Sequence, residues 1–84
     1  MTEYYITFQS LTMAQTGVRM LQNRGIPASI RRTPAKLAER GCGYSLVTGE
    51  RTIRSASATL AGAGITYNRI YRIRDGGDME EIVL

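Results

Sequence analysis

The stretch YYITFQSLTMAQTGVRMLQNRGI, residues 4–26, decides the fold. Its first five residues are apolar and β-branched, and strict alternation puts Tyr4, Ile6 and Phe8 on one face of a strand and Tyr5 and Thr7 on the other. Ser10 or Thr12 can then cap a helix whose Ala14, Val18 and Leu21 fall three and four residues apart. Gly25 is predicted to end that helix in the left-handed conformation. The pattern returns 39 residues later, where Tyr5 falls on Tyr44, Leu21 on Leu60 and Gly25-Ile26 on Gly64-Ile65.

Working outward, IPASIRR (26–32) places Ile26, Ala28 and Ile30 on one side of a second strand, and TPAKLAERG (33–41) is a connection with one helical turn opened by Pro34. YSLVT (44–48) is a third strand. RTIRSASATLAGAG (51–64) is a second helix with Ile53, Ala56 and Leu60 inward, and YNRIYRIR (67–74) is a fourth strand. The order β-α-β-β-α-β predicts an α+β domain over residues 1–74, a ferredoxin-like split βαβ sandwich with strands one and three central and strands two and four at the edges. DGGD (75–78) is a turn signal, and residues 75–84 form an acidic C-terminal turn and tail. MEEIVL (79–84) either adds an extra C-terminal edge strand or stays loose. A strand contact, with its own sheet or with a second copy in a homodimer, would keep Ile82, Val83 and Leu84 out of water.

At 84 residues the chain holds one thin core. A single cysteine rules out an internal disulfide and fits a reducing compartment, so a cytoplasmic address is expected. No apolar run reaches the roughly 20 residues of a membrane span, and MTEYYITF has neither a signal-peptide nor a transit-peptide pattern. The chain has no histidine, which removes the usual general base, the Ser-His and Cys-His pairs and the commonest metal ligand. No metal and no cofactor are expected, nor a membrane partner.

The net charge of +4 is unevenly distributed. All eleven cations, ten of them Arg, precede residue 75, whereas Asp75, Asp78, Glu80 and Glu81 crowd the tail. The planar guanidinium suits phosphate or carboxylate, so an anionic partner is one reading and a tail acting as an internal counterweight is the other. Arg31, Arg32, Arg69, Arg72 and Arg74 lie on the expected edge strands. They form either an anion-binding face, with Arg31, Arg32 and Arg72 as candidates, or charged edges that deter sheet-to-sheet aggregation.

The octet RGCGYSLV (40–47) resembles the third-strand pattern of RNA-recognition motifs at Arg40, Gly41, Gly43 and Tyr44, and departs from it at Cys42, Ser45 and Val47. On that reading Tyr44, with Tyr5 or Tyr4, stacks on bases, and nucleic-acid binding weakens with salt. The competing reading is a half-buried strand tyrosine. The glycines of AGAG (61–64) lie at a helix C-terminus, where carbonyls face out and anions are disfavoured.

Cys42 is either a small buried hydrophobe or a nucleophile left approachable by Gly41 and Gly43. Arg40, Arg31 and Arg32 would lower its pKa, and a helical 35–39 would oppose them.

Six short motifs, in this order and spacing, resemble a family: Phe8-Gln9-Ser10, Gly25-Ile26, Thr33-Pro34, Cys42-Gly43, Gly64-Ile65 and Ile70-Tyr71-Arg72-Ile73. The chain is similar, over about residues 4–73, to the selenium/sulfur carrier protein-like family. It departs from that pattern at Ala35, Lys36 and Leu37, and at Gly41, where a small hydroxyl residue is usual. The resemblance implies that Cys42 carries sulfur or selenium as a persulfide or selenosulfide between a protein donor and a protein acceptor, with Arg40, Gly41, Gly43, Thr33 and Pro34 as its supporting loop. A carrier is consumed and regenerated in each cycle, so the expectation is a carrier or interaction domain and not a stand-alone enzyme. The alternative is a small nucleic-acid-binding or protein-interaction module built on Tyr5, Tyr44 and the Arg-rich edge.

Overall fold

The computed structural model describes residues 2–37 and 43–84. Its elements are β1 (Glu3–Thr7), α1 (Leu11–Asn23), β2 (Ser29–Arg32), a single 3-10 turn (Ala35–Leu37), β3 (Tyr44–Gly49), α2 (Ile53–Gly62), β4 (Ile70–Ile73) and β5 (Met79–Ile82). The strands form one antiparallel sheet in the order β2-β3-β1-β4-β5. This is a small α+β protein with two helices, compatible with a ferredoxin-like arrangement.

Both helices pack on the sheet face that carries Tyr4, Ile6, Leu46 and Ile70. Ala14, Val18 and Leu21 from α1 and Ile53, Ala56 and Leu60 from α2 fill that core, as their helical spacing predicts. Burying each of the larger aliphatic side chains contributes about 1.5–3 kcal/mol. Gly17 lets the helices approach, since a Cβ there would lie 3.2 Å from Leu60 Cδ2 and 3.3 Å from Leu46 Cδ1.

The helix ends follow the sequence closely. Ser10 caps α1, its hydroxyl accepting from the Met13 amide at 3.2 Å. Gly25 and Gly64 adopt φ of 76° and 75°. The Ile26 amide then donates to the Leu21 carbonyl at 2.9 Å, and the Ile65 amide donates to the Leu60 carbonyl at 2.9 Å. These are matched Schellman closures, with Ile26 and Ile65 both resting on the core.

Two of the strands are shorter than predicted. β2 starts at Ser29 instead of Ile26, because Pro27 has no N–H to give a ladder. Side chains bond this backbone instead: Thr48 Oγ1 donates to the Pro27 carbonyl at 2.7 Å and Gln22 Nε2 to the Ala28 carbonyl at 2.9 Å. β4 starts at Ile70 instead of Tyr67, with Asn68 and Arg69 hooked to Thr7 through backbone bonds of 2.8 and 2.9 Å. β4 is also not an edge. The tail turns at Gly76 and Gly77, both with positive φ, and returns as β5 alongside it.

Candidate functional site

The β2–β3 connection is pinned at both described ends. Thr33, just past β2, donates its amide to the Gly43 carbonyl at 2.8 Å, and its hydroxyl meets that of Ser45 at 2.5 Å. Both hydroxyl residues are buried, Ser45 completely. An unpartnered buried hydroxyl costs about 1–3 kcal/mol, so each residue needs the other. Pro34 opens the expected turn, accepting from the Leu37 amide at 2.8 Å. Among the described residues a Cβ on Gly43 would meet nothing within 4 Å. No packing among the described residues therefore requires glycine at this position. Arg40, Gly41 and Cys42 lie outside the described residues.

At this end of the sheet, a cleft of about 340 Å³ is lined by Thr7, Gln9, Leu37, Tyr67, Asn68 and Tyr71, with Arg69 on its wall. Leu37 belongs to the connection itself, and Thr7 lies directly across from Ser45 in the sheet. α1 also begins here, capped by the Ser10 hydroxyl and with no acidic residue in its first turn to offset the positive end of its dipole. A larger, shallower hollow of about 750 Å³, floored by Pro27 and Val47, opens at the opposite end beside Gly49.

The arginines do not converge. Arg31 faces away from the helices, bonded to the Tyr5 hydroxyl and to Glu3, whose Oε2 lies 2.7 Å from Nη1; these contacts hold the guanidinium pKa above its ordinary value. Arg32 points to the helix side, where its guanidinium lies 5.3 Å from the Tyr44 ring centroid. Arg72 shares that side but lies across β3 and β1 from β2. It is bonded to Glu80 first and to the Tyr4 hydroxyl second, and both raise its pKa. The same bond holds the Glu80 carboxyl below its ordinary range. Glu81 pairs with Arg69 at 2.9 Å, and Arg74 reaches Glu80 at 3.1 Å. The acidic tail thus pairs with Arg72 of β4 and with Arg69 and Arg74 beside it, and the structure does not bring Arg31, Arg32 and Arg72 together.

Nor do Tyr5 and Tyr44 form a platform, and Tyr4, on the helix side with Tyr44, is buried in the core. Tyr5 lies across from Val47 on the face away from the helices, while Tyr44 shares its parity with Leu46 on the helix side. Side chains alternate along a strand, so Tyr5 and Tyr44 point to opposite faces and stack on no common surface.

Sequence reading missed the cleft and the Thr33–Ser45 pair. Gln9, Leu37 and the 67–71 segment meet only through the sheet, so no local pattern announces them. Among the described residues, no His, Cys, Asp and Glu cluster could hold a metal, and no helix is long and apolar enough to cross a membrane.

These residues define a small α+β domain with a pinned β2–β3 connection beside a polar cleft. Residues 3–72 match the family described as "Putative Se/S carrier protein-like", and the chain belongs to that family. No curated protein and no solved structure matches it.

Proposed function

We propose that the chain is a sulfur or selenium carrier whose Cys42 thiolate accepts the cargo atom, holds it as a persulfide or selenosulfide, and yields it to an acceptor. The observation that carries this reading is the family match over residues 3–72, which contains the Cys42-Gly43 pair. Such chemistry needs a reachable thiolate and neither a general base nor a metal, in keeping with a chain that has no histidine. It is supported by Gly43, where among the described residues a Cβ would meet nothing within 4 Å, and by the start of α1 at the same end of the sheet with no acidic residue in its first turn. The reading takes the fold as a split βαβ sandwich with an added edge strand, working in the cytoplasm between a protein donor and a protein acceptor. The nucleic-acid alternative is not favoured, because Tyr5 and Tyr44 occupy opposite faces.

The test is intact mass after exposure of the reduced chain to a persulfide donor, with thiol alkylation followed against pH. Addition of one sulfur atom, lost in Cys42→Ser, and a thiolate forming below the ordinary value of about 8.5 are expected. An unchanged mass with a slow, unperturbed thiol would overturn the reading.

A further inference from the structure

The two basic strands, β2 and β4, occupy equivalent places beside β3 and β1, and only β4 has a further strand on its outer side. The equivalence extends to side chains. Tyr4 and Arg72 are cross-strand partners on the helix side, and the Arg72 guanidinium is bonded to the Tyr4 hydroxyl. Tyr44 and Arg32 are likewise cross-strand partners on that side, and Arg32 Nη2 donates to the Tyr44 hydroxyl at 3.3 Å. Two residues earlier in each strand, Ile70 and Ile30 both rest on the core, opposite Ile6 and Leu46. There the likeness stops. Arg72 also meets Glu80 of β5, whereas among the described residues no carboxylate pairs with Arg32. The backbone tells the same story. The Thr33 amide bonds the Gly43 carbonyl, so alternation along β2 turns the N–H and C=O groups of Ile30 and Arg32 outward, away from β3. The bond from the Arg74 amide to the Asp78 carbonyl fixes the same alternation in β4 and aims those of Ile70 and Arg72 at β5. Ser29, Arg31 and Arg32 are exposed and Ile30 is half-buried. Such a bare edge is a template for another strand.

We propose that the outer edge of β2 binds an acidic, extended segment of a partner protein, which adds to the sheet there as β5 does beside β4. The β4–β5 register supplies the recognition pattern. Glu80 faces Arg72 and Ile82 faces Ile70, so the bound segment places a carboxylate opposite Arg32 and, two residues later, an aliphatic side chain opposite Ile30. Main-chain bonds to Ile30 and Arg32 give affinity, and those two side chains give selectivity. Arg31, on the other face, is already held by Glu3. A second copy of the chain fits the edge less well. Two β2 strands meeting antiparallel would set Arg31 and Arg32 of each copy against one another, and like charges across a ladder are destabilising. The acids of a second copy's β5 are already paired with its own Arg69, Arg72 and Arg74. The proposal rests on the sheet alone and is independent of the chemistry at Cys42.

The probe is a synthetic peptide with the sequence of residues 78–84, DMEEIVL, blocked at both ends and added to the intact chain. In NMR titration it should shift the backbone amides of Ile30 and Arg32 and slow their exchange with solvent, while those of Ser29 and Arg31, already turned to β3, change less. Replacing both peptide glutamates by Gln, or making Arg32→Gln in the chain, should weaken binding about two- to fivefold, the reach of an exposed ion pair. The two changes together should weaken it no further than either alone. Arg32→Pro removes an outward N–H at an edge where proline is tolerated, and should abolish the exchange protection. Shifts confined to β4 and β5 would mean that the peptide only displaces the tail, and overturn the proposal. So do shifts at Ile30 and Arg32 that arise without peptide as the chain is concentrated, since the edge then belongs to a second copy. Equal binding of the Gln peptide overturns it too, because acidity is then not what β2 reads.

Discussion

The two halves of the chain, β1-α1-β2 and β3-α2-β4, repeat each other at their helices and diverge at their strands. Shifted by 39 residues, Ala14, Gly17, Leu21, Gly25 and Ile26 fall on Ile53, Ala56, Leu60, Gly64 and Ile65 in matching positions, every pair doing the same structural task. The same shift sets Tyr5 on Tyr44 and Ile6 on Ser45, residues that face opposite sides of the sheet. A helix tolerates the alignment because its closure is local. A strand does not, since a one-residue offset exchanges its faces. The halves also end differently: β2 is left as an open edge bearing Arg31 and Arg32, whereas β4 is covered by β5 and its arginines are paired with the tail.

The sharpest way to break the comparison is through the core leucines. Leu21 and Leu60 are both fully buried, so Leu21→Ala and Leu60→Ala should each destabilise by about 2–5 kcal/mol in urea denaturation. Leu60, and not Leu21, is among the three nearest neighbours of the position a Cβ at Gly17 would take, with Leu46 and Phe8. Gly17→Ala should therefore be close to neutral alone, its helix-propensity gain of about 1 kcal/mol offset by crowding, and should restore part of the loss in Leu60→Ala. Equal rescue of Leu21→Ala would show that the helices do not close on Gly17 as described.

The helix closures come next. Gly25 and Gly64 share a left-handed φ, and among the described residues a Cβ at either meets nothing within 4 Å, so the expected cost of Gly25→Ala or Gly64→Ala is conformational. About 1–2 kcal/mol for each is expected, equal in the two halves and additive. Gly43→Ala provides the contrast. Among the described residues nothing lies within 4 Å of a Cβ there, so stability should change by less than about 0.5 kcal/mol. Any loss of sulfur loading in that variant would then belong to function. A large loss of stability at Gly43 would remove the argument that this glycine is kept for access.

How much of this was legible follows the same division. The capping Ser10, the Gly-Ile closures and the inward faces of both helices depend on residues within a turn or two of one another, and the sequence displays them directly. The strand limits depend on partners: Pro27 is bonded by Thr48 and Asn68 by Thr7, across gaps in sequence that no window spans. The site divides likewise. Thr33, Pro34 and Gly43 stand out as a connection before a strand, and the structure pins that connection at both described ends. The bond from Thr33 to Ser45 and the cleft formed by Gln9, Leu37 and residues 67–71 exist only after the sheet has formed. Arg31 and Arg32, adjacent in sequence, read as one basic patch until alternation sends them to opposite faces.

The smallest expected effect separates the two edges. The hydrogen bond from Arg72 holds the Glu80 carboxyl below its ordinary range, and the charges of Arg72 and Arg74 add to this. A depressed carboxylate pKa contributes stability that is fully present above the unfolded value of about 4.3 and is lost as pH falls through the folded one. Arg72, with its pKa raised, stays charged throughout and adds no titration of its own. β5 should therefore loosen as the solution is taken below about pH 4 more than the β2–β3 ladder, whose own residues are not carboxylates and whose Arg31 meets Glu3 of β1. Amide hydrogen exchange at Glu80, Glu81 and Ile82, compared with Ile30 and Arg31, measures the difference directly. Glu80→Gln should flatten the pH response of β5, and raised salt should shrink it because the pair is exposed to screening. If β2 instead exchanges first as the pH falls, the tail's ion pairs are not what fixes the covered edge, and the backbone ladder from β4 to β5 holds it alone.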